Sequence, residues 1–256
     1  MATVPMPDSD VLYVLQSIPK DVRELVRRHR LVIAGGFIRA LIAREKARDL
    51  DLFGSNAATL RSAAQALAAS RGSRLHETKN AITLIASGRL YLQFITRWTY
   101  ADAAAIGVDT GRVDVERLLE SFDFTVAQAG ICWDAERKQW VGRVSDRFYQ
   151  DLAARRLVYT RPVRDEEAGG SLMRVRKFLG RGYSIQIQSF ARVIARLVMG
   201  LDFTREPTEE WLGKLLTGLL REVDPLVVVD GVEVPEEVTP ELLAAEGMPG
   251  TPEDIL

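Results

Sequence analysis

The stretch Leu31–Phe53, LVIAGGFIRALIAREKARDLDLF, constrains the chain more than any other. Leu31 to Ala34 is a short apolar, β-branched run that stops at Gly35-Gly36, the pattern of a buried strand entering a tight turn. Phe37 to Arg48 returns to helical spacing, with Phe37, Leu41 and Ile42 on one side. Leu50 to Phe53 then predicts a second short strand, closed by Gly54-Ser55-Asn56. Asp49 and Asp51 flank Leu50 at the start of that strand. Residues i and i+2 of a strand share a face, with alpha carbons about 6.5–7 Å apart, so the two carboxylates can converge on one or two divalent ions. Magnesium takes one or two carboxylates together with substrate phosphate oxygens, and a two-metal site clamps the attacking and leaving oxygens of in-line phosphoryl displacement. Gly35-Gly36 at a helix start lets backbone amides approach a triphosphate with no Cβ in the way. Arg39, one turn on, adds charge complementary to phosphate. An isolated Asp-x-Asp or Gly-Gly is more often structural. Here the two occur at a fixed offset with strand, helix and strand between them, and the parts suit nucleotidyl transfer.

The rest of the chain supplies a setting for this segment. Residues 1–10 predict an irregular lead-in, and Val11–Arg30 a helix that Pro19 breaks or restarts. Ala57–Ser70 is Ala- and Leu-rich and predicts a helix ended by Arg71-Gly72-Ser73. Ala81–Ile85, a Ser87-Gly88 turn and Leu90–Thr96 predict a β-hairpin. Val113–Glu120 reads as helix, Phe124–Trp133 as an apolar strand and Trp140–Val144 as a further strand. From about Leu152 the chain is helical and arginine-rich, with helices expected at Ser171–Arg181, Ile185–Met199 and Thr208–Leu220. Pro225, Pro235, Pro240, Pro249 and Pro252 predict a loosely ordered C-terminal segment.

Gly35-Gly36-Phe37-Ile38-Arg39, followed by Asp49-Leu50-Asp51-Leu52 fourteen residues after the first glycine, resembles the head domain of the poly(A) polymerase and CCA-adding tRNA nucleotidyltransferase family, which shows GGxxRDxLLG and then DIDL. Asp123-Phe124-Thr125-Val126 with Ala127-Gln128-Ala129 is similar to that family's RRDFTxNA element, which helps hold the nucleotide sugar. Leu172–Phe178 and Gly182-Tyr183 resemble its neck segment RxxRAxRFAxxxGF. The resemblance covers about residues 29–200. It implies an α+β fold: a polymerase-beta-like mixed sheet with flanking helices, followed by a small helical neck domain. The expected division is 1–28 lead-in and helix, 29–150 head, 151–222 neck, and 223–256 acidic tail.

What the resemblance implies chemically is a magnesium-dependent transfer of a nucleoside monophosphate from an NTP to an acceptor hydroxyl, an RNA 3′ end first among them, with release of pyrophosphate. Asp49 and Asp51 would hold two metal ions, while Gly35, Gly36 and Arg39 bind the triphosphate. Asp123 would serve either as a third metal ligand or as a ribose contact, and Arg174 and Arg176 would face the base or primer. Several positions depart from the pattern. Ala40 replaces an acid, Arg44 a glycine, Ser121-Phe122 two arginines and Ala127 an asparagine, leaving Gln128 as a substitute amide donor. Those changes, and the absence of the long helical body of the tRNA enzymes, set a second reading beside the first: a nucleotide- or RNA-binding protein or assembly subunit that keeps the fold without turnover.

Charge sharpens the choice of partners. The whole chain has 34 basic and 35 acidic residues, a formal charge of −1. No basic residue follows Arg221, whereas ten acids do, so residues 1–221 carry 34 basic and 25 acidic residues, a net of +9. The arginine run Arg155, Arg156, Arg161, Arg164, Arg174, Arg176, Lys177 and Arg181 either lines a channel for an RNA 3′ end or forms a solvated helical face. The acidic end either covers a basic groove or solubilises. Cys132 is the only cysteine and there are only two histidines, which excludes a disulfide framework and a multi-cysteine zinc site. It reads as a core residue, and Trp98, Trp133, Trp140 and Tyr149 either pack in the core or on a strand face, the favoured reading, or stack bases. His76-Glu77 resembles half of a zinc-protease helix, but Asn80 stands where the second histidine belongs. No apolar run is long enough to span a bilayer and the N-terminus lacks a signal-peptide layout, so the expected location is the cytoplasm, away from membranes. Nothing in the pattern points to an oligomeric state.

Overall fold

The computed structural model describes residues 2–47, 49–78, 80–85, 90–97, 115–160, 162, 169–199, 208–214, 216, 228–229 and 232–233. The expected Ser87-Gly88 turn, Trp98, Arg161, Arg164, the second half of the Thr208–Leu220 helix and almost all of the acidic end lie outside the described residues. The chain divides into two units, Met1–Ala154 and Arg155–Leu256.

Eight strands form the mixed sheet of the first unit: β1 (Thr3–Pro5), β2 (Val32–Ala34), β3 (Asp49–Phe53), β4 (Arg74–Glu77), β5 (Ala81–Ile85), β6 (Tyr91–Ile95), β7 (Ala129–Asp134) and β8 (Gln139–Ser145). Their order is β1-β8-β7-β2-β3-β6-β5-β4. β3 runs parallel to β6, and the other neighbours are antiparallel. Among the described residues six helices accompany them: α1 (Asp8–Gln16), α2 (Lys20–His29), α3 (Gly36–Ile42), α4 (Ala57–Arg71), α5 (Val115–Glu120) and α6 (Phe148–Ala153).

Strand alternation gives the sheet two unlike sides. Ile33, Leu50, Leu52, Ile82, Leu84, Leu92, Phe94 and Ile131 are almost fully buried on one side. Here α1 packs on β8, α2 on β7, α4 on β5 and β6, and α3 against α1. Each such side chain contributes about 1.5–3 kcal/mol by leaving water. The chain comes close at Gly142, where a Cβ would lie 2.7 Å from Met6 and 2.8 Å from Val11. On the opposite side Val32, Ala34, Phe53 and Cys132 form a smaller core with Val115, Leu118 and Leu119 of α5.

Local chemistry explains the helix ends. Pro7 and Pro19 stand immediately before α1 and α2, where a missing N–H costs nothing. The side chain of Asn56 accepts from the Thr59 amide at 2.8 Å to cap α4, and Gly72 ends it with φ +62°. Arg71 holds Asp21 through two hydrogen bonds, 2.7 and 2.8 Å, tying α4 to α2. That guanidinium holds the Asp21 carboxyl below its usual range.

Two expectations change. Residues 1–10 are not an irregular lead-in: Thr3–Pro5 pairs with β8, and α1 starts at Asp8. Phe124–Trp133 is not one strand, because Thr125–Ala127 forms a 3-10 turn before β7 begins at Ala129.

In the second unit, β9 (Arg156–Leu157) pairs in parallel with β10 (Ser184–Ile185), and α7 (Gly169–Gly180) and α8 (Ile187–Met199) follow the expected spans closely. The ring of Tyr183 meets that of Phe178 edge-on at 5.0 Å. Several arginines are held by backbone carbonyls: Arg155 donates to Arg181 O at 3.1 Å, Arg192 to Tyr159 O at 3.3 Å and Arg196 to Pro162 O at 3.0 Å. Within the segment expected to be loosely ordered, β11 (Val228–Val229) and β12 (Val232–Glu233) pair antiparallel.

Candidate active site

β3 presents Asp49 and Asp51 on the side away from Leu50 and Leu52, with Asp49 exposed and Asp51 half-buried. β2, its antiparallel neighbour, ends at the Gly35 turn. Gly35 adopts φ +86°, a conformation open to glycine. A Cβ there would lie 2.9 Å from Cε1 of Phe122 and 3.8 Å from Oδ2 of Asp51. The bare glycine, the edge of the phenyl ring and the carboxylate therefore surround one point. Gly35 N–H donates to Ala129 O at 2.9 Å, which fixes the turn to β7. Gly36 is exposed, and a Cβ on it would meet nothing within 4 Å. Gly35 is required by packing, whereas Gly36 faces open space.

Arg39 is 4% exposed and its Nη2 lies 3.6 Å from Oε2 of Glu45. The end of α3 explains how Glu45 arrives there. Arg44 N–H donates to Leu41 O at 3.0 Å and Glu45 N–H to Ala40 O at 2.7 Å, with Arg44 left-handed at φ +56°. This is a Schellman turn whose left-handed position normally belongs to glycine. It reverses the chain and returns Glu45 to Arg39. A carboxylate thus reaches Arg39 from five residues beyond Ala40. No sequence spacing marked Glu45 in advance.

The Asp123 segment is built on buried polar contacts. Asp123 itself is 2% exposed. Thr125 Oγ1 donates to Oδ2 of Asp151 at 2.7 Å, and Arg147 grips the same carboxylate through Nε at 3.2 Å and Nη2 at 3.1 Å. Asp151 is fully buried, so these donors replace its water. The pair ties the 3-10 turn to α6. Sequence carried only a faint signal for it, an Arg and an Asp four residues apart. Gln128 is 3% exposed, and its Nε2 donates inward to Phe122 O at 3.2 Å. Its amide nitrogen therefore braces the chain at Phe122. Phe122 packs edge-on to Phe53 at 5.8 Å and seals Gly35, at a position where an arginine was the expected residue.

Among the described residues no three His, Cys, Asp or Glu side chains form a cluster suited to a metal ion. The residues that do fit a cation are Asp49 and Asp51, hard oxygen donors beside a cradle that a Cβ would fill. Two carboxylates with room for phosphate oxygens and water match the needs of magnesium. Beside them, in register on β6, stand Tyr91 opposite Asp49 and Gln93 opposite Asp51, both half-buried. No spacing or residue type marked either in advance.

Arg174 and Arg176 lie on α7 in the second unit, half-buried and exposed respectively. Two residues apart on a helix they diverge by about 200°, so they do not share a face. His76 lies on β4 and not on a helix, which ends the zinc-protease comparison. Burial, with Asp134 close by, pushes the Cys132 thiol up to about 11. Burial and its 2.5 Å bond to Asp10 also raise the Tyr149 phenol. Trp133 and Trp140 pack edge-on at 5.6 Å, and Arg27 lies 4.4 Å above the Trp133 ring.

A family model described as Gabija anti-defense 2 family protein matches residues 9–155. The chain belongs to the Gabija anti-defense 2 family. The Gabija anti-defense 2 match begins inside α1 and ends one residue beyond the first unit, so it contains Gly35, both β3 aspartates and the Asp123 segment. No curated protein sequence matches the chain. Solved structures do. A CCA-adding enzyme with CTP is similar at 15% identity and a TM-score of 0.57, covering 87% of this chain and 50% of its own. The same kind of enzyme with ATP gives 15% and 0.55. The Thermotoga maritima CCA-adding enzyme complexed with tRNA gives 14% and 0.51, covering 90% of this chain and 58% of its own. The chain therefore has a nucleotidyltransferase-like fold and spans about half the length of these enzymes.

Proposed function

We propose that this protein is a magnesium-dependent nucleotidyltransferase that moves a nucleoside monophosphate from an NTP to an acceptor hydroxyl. The observation that carries the reading is the approach of Asp51 to the bare Gly35 turn, with Asp49 exposed on the same side of β3. Asp49 and Asp51 would hold magnesium, which when bound screens the phosphate charge and eases loss of the hydroxyl proton. The exposed Gly36 leaves room for the triphosphate. The acceptor oxygen bonds to the α-phosphorus, the bond from that phosphorus to the bridging oxygen of pyrophosphate breaks, and the proton passes to a β3 carboxylate. Asp123 holds the ribose or a metal ion. Arg39 acts on the triphosphate with its charge tempered by Glu45, and one of Arg174 and Arg176 serves the base or primer.

An RNA 3′ end remains the first acceptor, supported by a +9 charge over residues 1–221. Solved relatives in fold hold CTP, ATP and tRNA, which supports the NTP and RNA reading. Membership in a Gabija anti-defense family supports placing the reaction in that anti-defense role. Incubation of the full chain with each α-labelled NTP, magnesium and mixed small RNAs tests the proposal. Label in RNA with release of pyrophosphate supports it.

The second reading, binding without turnover, is favoured by the Arg39–Glu45 pair, which withdraws charge from the expected triphosphate ligand. Tight NTP or RNA binding with no product in that incubation would select it.

A further inference from the structure

Among the described residues, α5 and α4 pack on different halves of the sheet and on opposite sides of it. α5 packs on β7 and β8 on the side that carries the aspartates, while α4, the described helix that packs on β4, β5 and β6, lies on the other side. A row of polar residues starts at Asp51 and crosses this region. Asp51 pairs with Gln93 on β6, Gln93 with Thr83 on β5, and Thr83 with His76 on β4. Leu92 and Phe94, and Ile82 and Leu84, are buried toward the helices, so alternation turns Gln93 and Thr83 to the aspartate side. With strands about 4.8 Å apart, the row runs about 14 Å from Asp51 to the sheet edge.

Its chemistry is specific. Gln93, Thr83 and His76 each donate and accept hydrogen bonds, and the amide and the hydroxyl carry no charge. Such a row suits base edges and 2′-hydroxyls better than phosphates. The parallel row supplies what it lacks: Tyr91, opposite Asp49, offers a ring for stacking, and exposed Arg74, two residues before His76, offers charge for a phosphate. At about 3.4 Å per stacked nucleotide the row matches three or four nucleotides.

We infer that Gln93, Thr83 and His76 form an acceptor track that seats the last nucleotides of a single-stranded RNA, with its terminal hydroxyl delivered to Asp51. The inference rests on the proposed transfer for what happens at the end of the track, but the track itself is a binding site. The full chain carrying Thr83→Val and Gln93→Met together keeps side-chain volume while removing the hydrogen-bonding groups. His76→Phe, at the edge strand, is the second variant. A short fluorescent oligoribonucleotide measured by anisotropy, and MgATP measured by calorimetry, give the two readouts, with circular dichroism as the check on folding.

RNA affinity should fall about tenfold in the folded double variant, as expected for losing two hydrogen bonds. MgATP affinity should stay within about twofold, and His76→Phe should weaken RNA alone. RNA affinity within about twofold of the parent in both variants, or a parent that does not bind single-stranded RNA, overturns the track. So does an equal loss of RNA and MgATP. A parent that binds RNA through these residues but incorporates no label contradicts the transfer and leaves the track standing.

Discussion

Arg44 shows how a single residue can hold a turn at a cost. Its φ of +56° closes the Schellman turn that brings Glu45 to Arg39. A non-glycine residue there is strained, so Arg44→Gly should stabilise the fold by about 0.5–1 kcal/mol and raise Tm by about 2–4 °C. Thermal denaturation of the pair checks this. A variant with lower Tm would show that the Arg44 side chain makes contacts worth more than its strain. Cys132 offers a pH test. Its thiol is pushed up from 9.0 to about 11, so the folded state holds its proton where the unfolded chain releases it. Stability from this group is complete below about 9 and is lost as pH rises toward 11. At pH near 8 the native thiol should resist a maleimide or disulfide reagent and react fully in denaturant. The Gly35 turn and the alternation of Asp49, Leu50 and Asp51 were legible from residue types alone. Glu45, Phe122 and Asp151 were not, because their roles depend on side chains meeting across the fold.

Elements were legible where the period was long or the punctuation strong. The hairpin of β5 and β6, helix α4 with its Asn56 and Gly72 ends, and the break before α2 all follow from local chemistry. β1 was not, since three residues ending in a proline show no alternation, and its place comes from pairing with β8. The run Phe124–Trp133 misleads for a related reason: buried Thr125 and Val126 look like strand but sit in a turn. That turn depends on α6. Asp151→Ala leaves the buried Thr125 hydroxyl without its acceptor and Arg147 without its partner, and should cost about 2–4 kcal/mol. Urea denaturation should show a lower midpoint, with Asp151→Asn, which keeps an oxygen for Thr125, losing less. A midpoint unchanged in Asp151→Ala would mean that α6 holds the Asp123 segment by apolar contacts.

The whole molecule combines a nucleotidyltransferase-like first unit with a second unit whose arginines are partly taken up by backbone carbonyls. Net charge conceals the contrast between the +9 of residues 1–221 and the ten acids beyond them. Ending the chain at Arg221 should strengthen RNA binding and steepen its salt dependence, as expected when like charge is removed near a polyanion. Filter binding across a salt series measures this, and an unchanged slope would assign the acidic end to solubility alone. In the proposed reaction the β3 aspartates next to the Gly35 turn perform nucleotidyl transfer. Transfer of α-labelled NTP by the folded full chain with Asp49→Ala and Asp51→Ala, compared with the parent, tests it most directly. A loss of more than about a hundredfold is expected, with the fold intact. Full label incorporation by the doubly substituted protein would contradict it.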